Sequence, residues 1–155
     1  MDKLQKALVC GVSGTSFMTA SSALMSLLPN EEFRETDQLE KLIGRMFPFL
    51  SKNAKVIAGW GAHYAVGVIF ALVYVELWEK KEIEHSIKNG IILGLLSGIL
   101  GLFVWRATFK NHPLPPNNRK LHFYLQRIPA HVVFSVFATI TYNILKQKEL
   151  QQQPA

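Results

Sequence analysis

A single cysteine, Cys10, stands in the chain. It excludes an intrachain disulfide and a cysteine-based zinc site, and inside an apolar run it reads as a small buried hydrophobe. Charge is scarce as well: Asp, Glu, Lys and Arg make up 18% of the residues, against about a quarter in a soluble domain. The long apolar runs also lack a polar stripe. A soluble bundle carries polar residues at every third or fourth position, because one helix face meets water. Phe70-Ala71-Leu72-Val73 and the run from Ile91 to Leu96 leave no such face. Signatures of chemistry are missing too. There is no nucleophile–base pair, no phosphate-cradling glycine loop and no metalloprotease motif, and Gly11-x-x-Gly14 follows no strand. The expectation is no enzymatic activity, no metal and no resident cofactor.

What is present is apolar. Four runs, at about 7–28, 56–75, 91–105 and 128–145, are nearly free of charge. About 20 apolar residues cross the hydrocarbon core of a bilayer, and the third run reaches that length when Asn89 and Thr108 lie at its ends. The fold expected is all-α: an integral membrane four-helix bundle in one domain, 1–155, with helices at about 4–28, 56–78, 88–109 and 121–146. The first run resembles a secretory signal, but its length and its Gly, Ser and Thr content read as a retained helix. Pro29-Asn30 stops it. At about 37–50, Leu39, Leu42, Ile43, Met46 and Leu50 recur at helical spacing among Glu40, Lys41 and Arg45. This predicts a short interfacial amphipathic helix, with Asp37 as its N-cap, lying in the interface plane or folded over the bundle mouth. The net charge of +6 reflects Lys and Arg at the membrane flanks. It forms no basic stripe interleaved with aromatics, so nucleic acid is not an expected partner.

The second and fourth spans carry matching stretches, AHYAVGVIFALVY at 62–74 and AHVVFSVFATITY at 130–142. Each sets a His, two small residues and a Tyr on one helix face: His63, Gly67, Ala71 and Tyr74, then His131, Ser135, Thr139 and Tyr142. Together with the Ser13-Gly14 and Ser97-Gly98 pairs, this predicts two parallel-repeat helical hairpins related by an axis along the membrane normal. Helix packing is expected at Gly11, Thr15 and Gly67, and along Gly90, Gly94, Gly98 and Gly101. Those four form a double GxxxG that brings helix backbones together and can serve a homodimer or a larger membrane complex. Trp60 and Trp78 lie about 27 Å apart at 1.5 Å per residue and read as an aromatic belt at each interface. Glu76 reads as snorkelling or paired with Lys80, and the tail from Lys146 as frayed.

His63 and His131 fall at one depth on the side of the longer loops. Three readings compete. The two imidazoles bond across helices and only fix the packing. Or they line a polar centre for an anion, a lipid headgroup or a proton path, with Tyr74 and Tyr142 facing inward and Arg106, Arg127, His112 and His122 as anion or headgroup contacts. Or they ligate haem b, as two imidazoles across a four-helix core can. The function expected is a non-enzymatic binding, transport-related or accessory membrane subunit with a His-lined polar centre; the alternative is a bis-His haem-binding electron-transfer protein. Asn117-Asn118-Arg119-Lys120, after the proline-rich stretch His112-Pro113-Leu114-Pro115-Pro116, reads as a solvated loop.

The stretches GVSGTSFMT, GWGAHYAVGVIFALVY, GLLSGILGLFVW and AHVVFSVFATITY resemble those of small bacterial inner-membrane proteins with four predicted spans. The resemblance implies a four-helix fold in the bacterial inner (cytoplasmic) membrane, with the lipid bilayer as its surroundings and no assigned activity. Lys and Arg number ten on the side of the two longer loops and seven on the side of the termini, which sets the longer loops in the cytoplasm by the positive-inside rule.

Overall fold

The computed structural model describes residues 1–28, 32–114 and 120–152. Pro29-Asn30 and the segment Pro115 to Arg119 lie outside the described residues, as do the last residues of the tail. Five α-helices follow in order: α1 Lys3–Met25, α2 Glu35–Met46, α3 Lys52–Glu79, α4 Ile87–Asn111 and α5 Lys120–Gln151, with no strand among the described residues. Four of them, α1, α3, α4 and α5, are long and apolar enough to cross a membrane. Short polar side chains start three of these. Asp2 and Gln5 close a capping box on α1, the amide of Ala54 donates to Ser51 Oγ (3.2 Å), and the amide of Asn89 donates to Ser86 Oγ (3.3 Å). Each satisfies an amide that the helix itself leaves unpaired.

The bounds differ from the sequence pattern in instructive ways. Lys52 and Asn53 belong to α3, because Ser51 caps it. The backbone cap of α2 is Arg34, without a side-chain bond, and Asp37 sits in the first turn. α5 continues through the polar tail to Gln151. There Glu149 meets Lys6 Nζ at 3.1 Å, and Lys6 also reaches Glu79 at 2.9 Å. The buried Lys6 thus ties the ends of α3 and α5 to the start of α1. Glu76 pairs with Lys80 (3.0 Å) and with Lys3. Trp78 is not an interface anchor. It is buried between Tyr74 and Tyr142, with ring centroids at 5.8 and 4.8 Å.

Helix contacts run in the order α4–α5–α1–α3, and α2 lies on α3. Small residues make these contacts close, as packing in lipid requires. A Cβ on Gly94 would stand 2.6 Å from Val132 Cα, and one on Gly98 2.6 Å from Ile128 Cα. Gly90 faces Thr139 and Gly101 faces His131, so the whole glycine ladder of α4 is occupied by α5. Gly11 meets Val68, and Gly67 meets Thr15, between α1 and α3. Ser13-Gly14 and Ser97-Gly98 are not used alike: Gly14 abuts Phe134 on α5, whereas Gly98 abuts Ile128. α2 fits over Gly59 of α3, where a Cβ would meet the Glu40 amide nitrogen at 3.0 Å. The helices at the two ends of this order, α3 and α4, form no extended contact. Tyr74 bridges them, its hydroxyl donating to Ser97 Oγ (2.7 Å).

Candidate functional site: a cavity between α3, α4 and α5

Between the Tyr74 bridge and α2, the gap separating α3 from α4 leads to a cavity of about 210 Å³. Its walls are apolar: Met18 of α1, Leu39 of α2, Val66, Gly67 and Phe70 of α3, Val104 and Trp105 of α4, Phe134 of α5. Five polar residues share the lining, namely His63, His131, Arg127, Glu35 and Thr108. Val66 and Val104, one on each flanking helix, are 51% and 52% exposed. They form a rim on the outer surface of the bundle, the surface that faces lipid when the four helices span a bilayer.

The polar end is built around an ion pair. Arg127 is 1% exposed and Glu35 2% exposed, and Arg127 Nη1 donates to Glu35 Oε1. Arg127 Nη2 donates to the Phe33 carbonyl (2.7 Å) and to Gln126 Oε1, and Nε donates to the Phe123 carbonyl (3.1 Å). The Phe123 ring lies 4.2 Å from the guanidinium carbon. Ser22 Oγ donates to Glu35 Oε1 (3.0 Å), and Gln126 Nε2 donates to Ser22 Oγ (3.2 Å). A charge this deep is tolerated only with a partner and further hydrogen bonds, and here α1, α2 and α5 all supply them.

The tautomer of His63 follows from its neighbours. The Thr19 hydroxyl donates to the Thr15 carbonyl (2.8 Å), so it accepts from His63 Nε2 at 2.9 Å. His63 therefore carries a hydrogen on Nε2. His131 Nε2 packs against Gly101, its ring meets the edge of Phe70 at 5.2 Å, and its Nδ1 has no hydrogen-bond partner. Glu35 Oε2 is likewise buried and unpartnered. In this arrangement the two histidines do not present a pair of free Nε2 atoms to a metal.

The other expected site residues are dispersed. Tyr74 and Tyr142 lie outside the cavity, Tyr74 in the α3–α4 bridge and Tyr142 against Trp78 and His85. Of the candidate anion contacts, only Arg127 lines the cavity. Arg106 and His122 are exposed. His112 is committed elsewhere: Nδ1 accepts from the Leu114 amide (3.0 Å), so Nε2 donates to the Leu42 carbonyl (3.2 Å). Glu35, Gln126 and Thr19 were not visible as site residues in the sequence. Glu35 reads there as one charge among several in a loop, and only its placement at the start of α2 carries it under the bundle. The one available signal was Gln126-Arg127, a polar pair just ahead of Pro129 inside an otherwise apolar helix.

The fold and cavity define an all-helical protein with four helices capable of spanning a membrane. No family model, curated protein or solved structure matches the chain.

Proposed function

We propose that this protein is a non-enzymatic binding or accessory component of a membrane, and that its cavity receives the end of a lipid-soluble molecule through the gap between α3 and α4. The observation that carries this reading is the lateral placement of the cavity. Its rim residues Val66 and Val104 are exposed on the apolar surface, while its inner end holds His63, His131 and the Arg127–Glu35 pair. Pockets that enclose a whole small ligand run to about 300–1,000 Å³. A cavity of about 210 Å³ suits the head and first carbons of an amphiphile whose tail stays in the bilayer. Polar groups kept at membrane depth, at a cost, are by default functional. Any homodimer or larger complex meets this chain on a face other than the glycine ladder, which α5 covers.

The experiment is photolabelling of the protein in lipid vesicles with phenyl(trifluoromethyl)diazirine, a small apolar carbene source, followed by peptide mapping. Label is expected on Met18 and Phe70 inside the cavity, and Val104→Trp should remove it while leaving the label on the outer residues Ile69 and Ile99. Label confined to outer residues in the unaltered protein contradicts the reading.

A further inference from the structure

The turn that joins α2 to α3 presents apolar side chains outward and basic ones beside them. We infer that it is an interfacial anchor: its aromatic tip inserts at the border of the hydrocarbon layer, and its flanking cations hold the headgroups of anionic phospholipids in the same bilayer. This rests on α3 crossing a membrane and is independent of the cavity.

Phe47-Pro48-Phe49-Leu50 forms a tight turn, closed by the Leu50 amide donating to the Phe47 carbonyl (3.2 Å). Proline stands at its second position, where a fixed φ suits a turn. Phe49 is 82% and Phe47 41% exposed, their ring centroids lie 6.0 Å apart, and Met46 beside them is exposed too. The depth of this tip follows from Lys55. Lys55 Nζ donates to the Pro48 carbonyl (3.3 Å), and the Lys55 stem lies over Gly44, where a Cβ would meet its Cδ at 3.1 Å. The tip therefore sits beside the first turns of α3. No Asp, Glu, Lys or Arg stands between Lys55 and Glu76, a stretch of about 31 Å at 1.5 Å per residue, which matches a hydrocarbon core of about 30 Å. When α3 crosses a bilayer, Lys55 marks one border of that core, and the two rings lie at the depth that aromatic side chains favour.

Charge selects the lipid. No acidic residue occurs from 41 to 75 or from 85 to 148. Among the described residues, Glu32 is paired with Lys41 (2.6 Å), Asp37 with Arg34 (3.5 Å) and Glu35 with Arg127, which leaves Glu40 as the one described acid near α2 outside an ion pair. Arg45 donates to the Leu114 carbonyl (2.9 Å) and Lys55 to that of Pro48, both neutral groups, and Lys52 is exposed. Three cations thus flank the aromatic tip without a carboxylate paired to any of them. Anionic headgroups supply the missing charge, since each Lys or Arg near a membrane surface gains about 1 kcal/mol from them.

The test is fluorescence quenching of the full-length protein in phosphatidylcholine vesicles, with a nitrobenzoxadiazole label on Phe49→Cys in a Cys10→Ala background. Labels on Ile69→Cys, midway along α3, and on Glu84→Cys, in the α3–α4 turn, are the references for lipid and for water. The label at 49 is expected to be quenched by lipid carrying a doxyl group at chain position 5, and to be shielded from aqueous iodide relative to the label at 84. Doxyl-phosphatidylglycerol should reach half-quenching at about a fivefold lower mole fraction than doxyl-phosphatidylcholine, the size of one basic residue's attraction. Lys52→Gln with Lys55→Gln should bring the two lipids together, and Lys52→Gln alone, at an exposed position, should narrow the difference if the double variant does not fold. Met46→Cys repeats the measurement with both rings in place. Equal quenching by the two lipids overturns the anionic-lipid assignment. Iodide reaching position 49 as freely as position 84 overturns the insertion. Shielding of 49 from iodide and doxyl lipid alike means that protein, a second copy or another chain, covers the tip, and overturns it as well. A label at 69 that doxyl lipid does not quench instead overturns the crossing of the membrane by α3.

Discussion

Arg127 shows how one residue sets the character of the molecule. Its guanidinium is buried, balanced by Glu35 and held by two backbone carbonyls. Removing one partner of such a pair costs about 3–5 kcal/mol, because the other charge is left buried alone. Arg127→Leu is therefore expected to lower stability by about that amount, measured as thermal unfolding in mild detergent. The double variant Arg127→Leu with Glu35→Leu should recover most of the loss, whereas additive losses would show that the two charges act independently. Glycine offers a second contrast. A Cβ on Gly94 runs into the backbone of α5, while one on Gly61 meets nothing within 4 Å. Gly94→Ala should cost about 1–3 kcal/mol, and Gly61→Ala should be neutral or stabilising by up to about 1 kcal/mol. The spacing of four among Gly90, Gly94 and Gly98 already set Gly94 apart from Gly61 as a packing position, but it did not say which backbone Gly94 would meet. Which glycine meets a backbone depends on the partner helix.

At the scale of elements, the four long helices were legible because lipid solvent imposes a length and a composition on anything that crosses it. The ends were less so. α5 outlasts its apolar run because Lys6 of α1 holds Glu149, a contact between residues almost a chain length apart. Glu149→Ala should release that end, seen as faster amide hydrogen exchange over 146–151 with little change over 130–140. Unchanged exchange at the end would mean that α5 holds its last turns without α1. α2 was legible as a helix but not in its role. Its apolar residues suggested an amphipathic segment, yet Glu35, Thr36 and Gln38 are among its buried residues. The buried Arg127 of α5 supplies the reason for Glu35. Hydrophobic periodicity finds the face that avoids water, and it is blind to a carboxylate buried for the sake of a distant cation.

For the whole molecule, the order α4–α5–α1–α3 leaves the outermost two helices apart. The sequence pattern singled out His63 and His131, but not the cavity that both line, because it depends on the gap between α3 and α4. When the four long helices cross a membrane, the α3–α4 turn and the segment after α4 lie on its opposite sides. In a Cys10→Ala background, Glu84→Cys and Leu114→Cys should react with an impermeant maleimide from opposite faces. Reaction of both from the same face contradicts four spans. Entry into the cavity from the lipid would be visible in an experimental density map of the protein in a lipid nanodisc. Elongated density is expected to pass between Val66 and Val104 and to end beside His131 and Glu35. A map in which α3 and α4 close together, with Phe70 and Trp105 filling the space between them, would contradict it.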